Sequence, residues 1–141
     1  MTDTEQNKAV YRRWLEECWS GDDSDLQGDI DLQDRLLGVD VVDHNPVPGV
    51  PTGLDGQRAV LGMYRAAFDI ETKLDLLFAD GDHVAGRWTA RFIHKGDFMG
   101  IPPTGKQATV TGMNIARFRN GKIVEFWHQE DVMSLMRQLG F

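Results

Sequence analysis

The stretch TVTGMNIARFRNGKIVEFWHQ, residues 109–129, decides the fold of this chain. Apolar and polar residues alternate on both sides of Asn120 and Gly121, as they do in β-strands that are buried on one face. The Asn-Gly pair tolerates the positive φ angles of a tight type I′ turn. We therefore expect two antiparallel strands joined by a two-residue turn at this point.

The turn also predicts the register of the hairpin and the two faces of the sheet. A two-residue loop places Asn114 opposite Trp127, and, if the pairing extends far enough, Asp131 joins them because directly opposed residues share a face. The expected pocket face mixes apolar walls with a few polar groups and consists of Gly112, Asn114, Ala116, Phe118, Ile123, Glu125, Trp127 and Asp131. The expected outer face suits packing or dimerisation and consists of Met113, Ile115, Val124, Phe126 and His128.

The rest of the chain predicts a second hairpin and several helices. Residues 73–96 alternate around Asp80-Gly81, which favours two more antiparallel strands. The segments with helical periodicity are 2–20, 55–68 and 130–140. The first of them begins with the capping-box spacing of Thr2 and Glu5. Helices, then a long antiparallel sheet, then a final helix predict an α+β fold in which the helices cover one face of the sheet.

An acidic segment, residues 22–38, lies between the first helix and an extended piece that ends before Pro46. Its leucines suggest a short helix that ends at Gly38. We interpret the segment as a lid or surface insertion. A chain of 141 residues is long enough for one packed core and too short for two ordinary domains, so we expect a single domain over residues 1–141.

The composition argues against several classes of protein. The formal charge of −7 comes without a Lys/Arg-rich patch, so binding to nucleic acid or to anionic membranes is not expected. No apolar run approaches the roughly 20 residues that cross a bilayer, and the start MTDTEQNK lacks the pattern of a signal peptide. Cys18 is the single cysteine, which suits a reducing compartment. A cytoplasmic protein is the expectation.

The sequence contains no signature of a cofactor or a metal. The histidines are scattered, and no GxGxxG, P-loop or GxSxG motif occurs. A metal site would have to be assembled entirely by the fold. We expect neither a cofactor nor a metal ion.

Four stretches carry a resemblance to a known family: VDHNP (42–46), GDHVAGRWTARFIHKGDFMGIPPTGK (81–106), GKIVEFW (121–127) and EDVMSLMRQLG (130–140). They resemble the SnoaL-like polyketide cyclases of the nuclear transport factor 2-like superfamily. The resemblance implies a cone-shaped, cystatin-like α+β barrel, in which a curved antiparallel sheet and helices enclose a pocket, and frequent homodimers. Characterised relatives close a ring of an anthracycline precursor by intramolecular aldol condensation, without metal or cofactor, using an aspartate as acid and base. Residues 21–38 are longer here than is usual in the family.

The resemblance makes Asp131 the candidate acid/base aspartate, because it follows the strand that contains Trp127 and precedes the last helix. A carboxyl group whose pKa is raised in an apolar pocket can remove a proton next to a carbonyl and later protonate the alkoxide. An aspartate at the start of a helix is equally well explained as an N-cap. Neighbouring Glu130 is expected on the other strand face, in solvent.

His44 and Asn45 are the next candidates, since the resemblance places VDHNP at the rim of the pocket. Their side chains could hydrogen-bond a carbonyl or enolate oxygen, as an oxyanion site does. The alternative is a hydrogen-bonded turn before Pro46.

Asn114, Trp127 and Trp88 complete the candidate site as substrate-binding residues. Asn114 is expected beside Trp127 on the pocket face, where a buried amide needs partners and could orient the substrate. A structural hydrogen bond explains it equally well. Trp127 and Trp88 would shape the apolar wall, although an ordinary core position also suits Trp88.

These expectations lead to a cofactor-independent enzyme that acts on a small hydrophobic carbonyl compound, with aldol cyclisation as the family-derived reaction. Epoxide hydrolysis or ketosteroid-like isomerisation is a second enzymatic possibility, and hydrolysis calls for an Asp-Arg-Asp set that the sequence does not assemble. A non-catalytic domain that binds small molecules or dimerises is the alternative from another class.

Overall fold

A computed structural model describes residues 2–141 and contains both predicted hairpins. The helices are α1 (Asp3–Arg13, continued by a π-helical turn at Trp14–Cys18), α2 (Leu26–Leu36, preceded by a 3-10 turn at Asp23–Asp25), α3 (Gly53–Ala67) and α4 (Val132–Gln138). The strands are β1 (Leu37–Asp43), β2 (Phe68–Asp80), β3 (His83–His94), β4 (Gln107–Arg119) and β5 (Lys122–Glu130). The predicted α+β fold class is confirmed.

The five strands form one curved sheet in the order β1-β5-β4-β3-β2. β2 to β5 are antiparallel neighbours, whereas β1 pairs in parallel with β5. This pairing brings the end of β1 beside β5, although the two strands are about half the chain apart in sequence. Across residues 2–141, none of the helices combines the length and the apolar character that a bilayer span requires.

α1 begins as the sequence predicts and buries one face against the sheet. The Thr2 hydroxyl accepts a hydrogen bond from the Glu5 backbone N–H at 3.1 Å, and the Glu5 carboxylate accepts one from the Thr2 N–H at 3.3 Å. These two bonds are the predicted capping box. The buried apolar residues of α1 and its π-helical turn are Tyr11, Trp14, Leu15 and Cys18.

The acidic segment at residues 22–38 contributes to the core, which the interpretation as a lid or surface insertion did not anticipate. Its helix α2 ends at Leu36 instead of Gly38, and its buried side chains are Leu32, Gln33 and Leu36. Arg65 of α3 is fully buried and pairs with Asp29 of α2. The same guanidinium donates to three backbone carbonyl oxygens between the end of the first helix and the start of the segment. The ion pair and hydrogen bonds of Arg65 connect the segment to α3.

The β4–β5 hairpin departs from the predicted register after its second residue pair. Phe118 pairs with Ile123 as expected, but Arg117 pairs with Glu125, so Val124 is an extra residue on β5. Such a bulge shifts every later partner by one position and turns the strand over. The predicted pairing of Asn114 with Trp127 is therefore wrong, since Asn114 pairs with His128.

The bulge exchanges the two faces of β5 beyond Val124 and leaves those of β4 as predicted. The side chains of β4 and β5 that line the interior are Val110, Asn114, Phe126, His128 and Glu130. Trp127 pairs with Ile115 on the outer face of the sheet. The sequence prediction had placed Phe126, His128 and Glu130 outside and Glu125 and Trp127 inside, and all five placements are wrong.

Candidate active site

A cavity of about 330 Å³ lies between the inner face of the sheet and the helices. Its volume is within the range of small-molecule sites. Its wall includes aromatic side chains from the π-helical turn after α1, from α3, β3 and β5, and from the loop after β3, among them Trp14, Tyr64, Trp88, Phe92, Phe98 and Phe126. An apolar cavity of this kind favours a ligand that is largely hydrophobic.

One edge of the cavity carries a histidine between two carboxylates. His128 of β5 donates from Nε2 to Oδ1 of Asp43 at 2.9 Å, and its Nδ1 is hydrogen-bonded to Glu130 Oε1. All three residues line the cavity. The side chain of His128 is 17% exposed and that of Asp43 is 12% exposed, so these two are largely shielded from solvent, whereas that of Glu130 is 33% exposed.

The end of β1 and the loop after it hold this cluster in place. Asp43 Oδ1 accepts a second bond from the Asn45 backbone N–H at 2.8 Å, and Oδ2 accepts one from Gln57 of α3 at 3.3 Å. The Asn45 side chain in turn accepts a bond from the backbone N–H of His128 at 2.8 Å. His128 is thereby fixed both through its imidazole ring and through its backbone N–H.

The two carboxylates change the protonation of the cluster. Burial alone would lower the pKa of His128, but the hydrogen bonds and charges of Asp43 and Glu130 outweigh burial and raise it to about 10. Burial would likewise raise the pKa of Asp43, and the bonds from His128 and the Asn45 backbone hold it below its usual range. At neutral pH the cavity edge therefore contains an imidazolium between carboxylates.

A second polar pair, on β3 and β4, lies beside this cluster, because Asn114 pairs with His128. The Trp88 indole Nε1–H donates to Asn114 Oδ1 at 3.0 Å, and both side chains are buried. Gly112 makes room for the indole, because a Cβ at this position would lie 2.2 Å from Trp88 Cζ2. Tyr11 of α1 donates to the backbone oxygen of Asn114 at 2.7 Å. The position of Asn114 is thus set from two sides.

Of the site residues predicted from the sequence, Asn45, Asn114 and Trp88 line the cavity together, and three others lie elsewhere. His44 bonds to Glu125 at 2.7 Å, and its ring stacks on Trp127 with centroids 4.6 Å apart and an interplanar angle of 4°. This pair lies on the outer face because the bulge turns Trp127 away from the interior. The predicted placement of His44 and Trp127 in the pocket is corrected accordingly.

Asp131 caps the last helix. Its Oδ1 accepts a hydrogen bond from the Ser134 backbone N–H at 3.0 Å, and the side chain is exposed. It is not among the residues that line the cavity. The N-cap that the sequence offered as an alternative is present, and the catalytic role of Asp131 stays an untested prediction.

Sequence reasoning missed Asp43, His128 and Glu130 as cavity residues. One signal was available, because Ile123 and Val124 are adjacent apolar residues that interrupt the alternation of β5. Such an interruption is typical of a bulge and would have reversed the faces that follow it. No local signal points to the pairing of β1 with β5, which brings Asp43 to His128.

Within the described range 2–141, no group of three or more His, Cys, Asp or Glu side chains has an arrangement suited to a metal ion. The residues of this range that line the cavity include no arginine. An Asp-Arg-Asp set is thus not assembled there.

Comparison with known families agrees with the fold. The model of a family described as SnoaL-like polyketide cyclase matches residues 9–139. No curated protein matches the chain.

Solved structures with the same fold include several related proteins. Wild-type IdmH from Streptomyces antibioticus, a candidate polyketide cyclase, is 29% identical, with a TM-score of 0.76 and 100% of both chains covered. A candidate polyketide cyclase from Acidithiobacillus ferrooxidans is 28% identical, with a TM-score of 0.80. The match covers 99% of this chain and 97% of that protein's chain. An LEH-like epoxide hydrolase from M. tuberculosis, 18% identical with a TM-score of 0.71 and 98% and 92% coverage, shares the fold alone.

Proposed function

The chain belongs to the SnoaL-like polyketide cyclase family, and from this membership we propose that it is an enzyme acting on a small, largely apolar carbonyl compound. The proposed reaction is cofactor-independent acid/base chemistry of the intramolecular aldol type. The observation that carries the proposal is the imidazolium of His128, which lies between Asp43 and Glu130 at the edge of an otherwise apolar cavity.

Glu130 is the proposed acid and base. It lines the cavity, and its carboxylate is held by His128. In the proposed reaction Glu130 takes a proton from the carbon next to a ligand carbonyl, and that carbon then forms a C–C bond to a second carbonyl carbon of the same molecule. The resulting alkoxide takes the proton back from Glu130, so the enzyme returns to its starting state.

His128 and Asp43 have supporting roles in this proposal. The positive charge of the imidazolium stabilises the negative charge that develops on the enolate and alkoxide oxygens, an effect that a low-dielectric cavity strengthens. Asp43 keeps the imidazole protonated and oriented, and Asn45 with Gln57 positions Asp43. Asn114 and Trp88 contribute to ligand binding. The family-derived assignment of the acid/base role to Asp131 is the competing version, and the exposure of Asp131 outside the cavity speaks against it.

Hydrogen–deuterium exchange at the carbon next to a ketone tests the proposal without knowledge of the natural substrate. The probe is 1-tetralone in D2O, with exchange followed by NMR and affinity measured by titration. Wild type is expected to accelerate the exchange, and Glu130→Gln is expected to lower the rate by at least about a hundredfold with little change in affinity. Asp131→Asn is the matched control and is expected to behave like wild type.

Each other outcome supports a different assignment. Loss of exchange in Asp131→Asn, with activity retained in Glu130→Gln, would transfer the acid/base role to Asp131. Binding of 1-tetralone by wild type without any acceleration of exchange would favour a non-catalytic binding domain, the alternative from another class.

We also propose that a second copy of the chain packs on the outer face of the sheet. Exposed apolar side chains form a patch there: Leu76, Phe78, Met113 and Ile115. The arginines beside the patch are already paired, Arg87 with Asp75 at 2.6 Å and Arg117 with Glu125. A sheet face that is apolar and locally neutral suits a twofold contact with itself, because no like charges are brought together.

A further inference from the structure

The direction of the Asn114 side-chain amide is determined by its neighbour. The indole Nε1–H of Trp88 can only donate a hydrogen bond, so the atom that receives it at 3.0 Å is the amide oxygen of Asn114. The amide nitrogen consequently points away from the indole. Exchanging the two ends of the amide would bring two donors together and lose a buried hydrogen bond.

The nitrogen of this amide is left for a ligand. Asn114 is 93% buried, being 7% exposed, and it lines the cavity. Among residues 2–141 no acceptor bonds to its Nδ2 atom. This atom is not fully enclosed by protein. Because this nitrogen is open to the cavity, a ligand oxygen there can accept a hydrogen bond from it.

The place of Asn114 in the sheet relates this donor to the acid/base cluster. Asn114 pairs with His128, and Glu130 follows two residues later on the same face of β5. Side chains in such positions lie about 5–8 Å apart across a sheet. A ligand whose carbonyl oxygen is bound by the Asn114 amide can therefore reach Glu130 with a neighbouring carbon.

We propose that Asn114 and Trp88 form a carbonyl-selective subsite, in which Trp88 is a positioning residue that keeps the amide N–H groups of Asn114 directed at the ligand. The subsite donates hydrogen bonds to a ligand oxygen. A ligand that has no such oxygen gains no affinity from it. The inference rests on the proposed function, because it concerns a ligand in the same cavity. It adds that the carbonyl end of the ligand binds at Asn114 and that Trp88 sets the direction of the Asn114 amide.

Two bicyclic probes of nearly equal size measure this selectivity. 1-Tetralone carries the carbonyl oxygen and tetralin does not. For each variant, titration gives the ratio of the dissociation constant of tetralin to that of 1-tetralone, which exceeds one when the ketone binds more tightly. Wild type is expected to bind the ketone roughly tenfold more tightly than the hydrocarbon, as one well-placed buried hydrogen bond allows. In Asn114→Asp the group that faces the ligand becomes an acceptor, so the ratio should fall below one.

The variant Trp88→Phe tests the positioning role. It keeps an aromatic wall and removes the indole N–H, so the amide of Asn114 can turn and the ketone preference should drop to about threefold or less. Trp14→Phe is the matched control, since Trp14 also lines the cavity but its Nε1 has no partner within residues 2–141. This control should weaken both probes alike and leave their ratio unchanged.

The possible results separate this inference from the proposed function. Equal affinity of wild type for both probes, or an unchanged ratio in Asn114→Asp, would overturn the carbonyl-selective subsite even if exchange at the ketone depends on Glu130. A ratio in Trp88→Phe equal to that of wild type would overturn the positioning role. If neither probe binds to wild type, the proposed ligand class and this inference fail together. Circular dichroism of each variant verifies that it is folded.

Discussion

Asn114 lies directly opposite His128 in the β4–β5 ladder, and this pairing brings the two polar groups of the cavity together. One carries a free amide N–H₂, and the other carries an imidazolium held by carboxylates. The relationship depends on the single extra residue Val124, without which Trp127 would occupy the position of His128.

The stability of the fold should depend on pH through His128. Its pKa is raised from 6.5 in the unfolded chain to about 10 in the folded one. The stabilisation is therefore complete below pH 6.5 and is lost as the pH rises toward 10. We expect the free energy of unfolding to fall by about 1–2 kcal/mol between pH 6.5 and 8.5, measured by urea denaturation.

A variant without the imidazole provides the comparison for this pH effect. In His128→Gln the free energy of unfolding should be nearly constant over the same interval. A slope equal to that of wild type would show that His128 does not gain its proton affinity from the fold. Asp43 acts at the other end of the scale: its pKa lies below 3.8 in the folded chain, so its stabilisation is present above pH 3.8 and is lost as the pH falls below that value.

Replacement of Gly112 by alanine should disturb the cavity. The new Cβ would lie 2.2 Å from Trp88 Cζ2, so the indole must move away from Asn114. We expect a loss of about 1–3 kcal/mol in the free energy of unfolding, as for other overpacked cores. Gly62→Ala is the control: its site in α3 is open, and alanine there should stabilise the helix by about 0.5–1 kcal/mol. Equal thermal shifts for the two variants would contradict the close contact.

Asp131→Ala should reduce stability by about 1 kcal/mol, because the carboxylate caps the first turn of α4 through Ser134. Asparagine caps helices nearly as well as aspartate, so Asp131→Asn should melt close to wild type. Thermal denaturation of both variants distinguishes a cap from a charge effect. A similar loss of stability in the two would mean that the charge of Asp131 matters more than its hydrogen bond.

The outer face of the sheet should determine the oligomeric state. Phe78 is 63% exposed and lies in one cross-strand row with Ile115 and Trp127. Phe78→Arg should convert a dimer to a monomer in size-exclusion chromatography with light scattering, because it places a charge in an apolar contact. Val39→Arg, at a position that is 71% exposed on β1, should leave the mass unchanged. A monomeric wild type, or a dimer that survives Phe78→Arg, would refute the proposed surface.

The elements that follow local rules were predicted correctly. The capping box of Thr2 and Glu5, the turn at Asn120-Gly121 and the inner face of β4 are all present. Each depends on residues only a few positions apart, whose hydrogen bonds and side-chain alternation do not require the rest of the fold. Asn114 was assigned to the cavity for this reason.

What the sequence by itself determined was thus the α+β class, the two hairpins and part of the cavity wall. The tertiary structure alone decided the composition of the acid/base cluster. Asp43 reaches His128 because β1 pairs in parallel with β5, a contact between residues 85 positions apart. His128 faces inward because one bulged residue reverses a strand, and such a reversal depends on how the whole sheet curves and packs, which a local pattern of alternation does not encode.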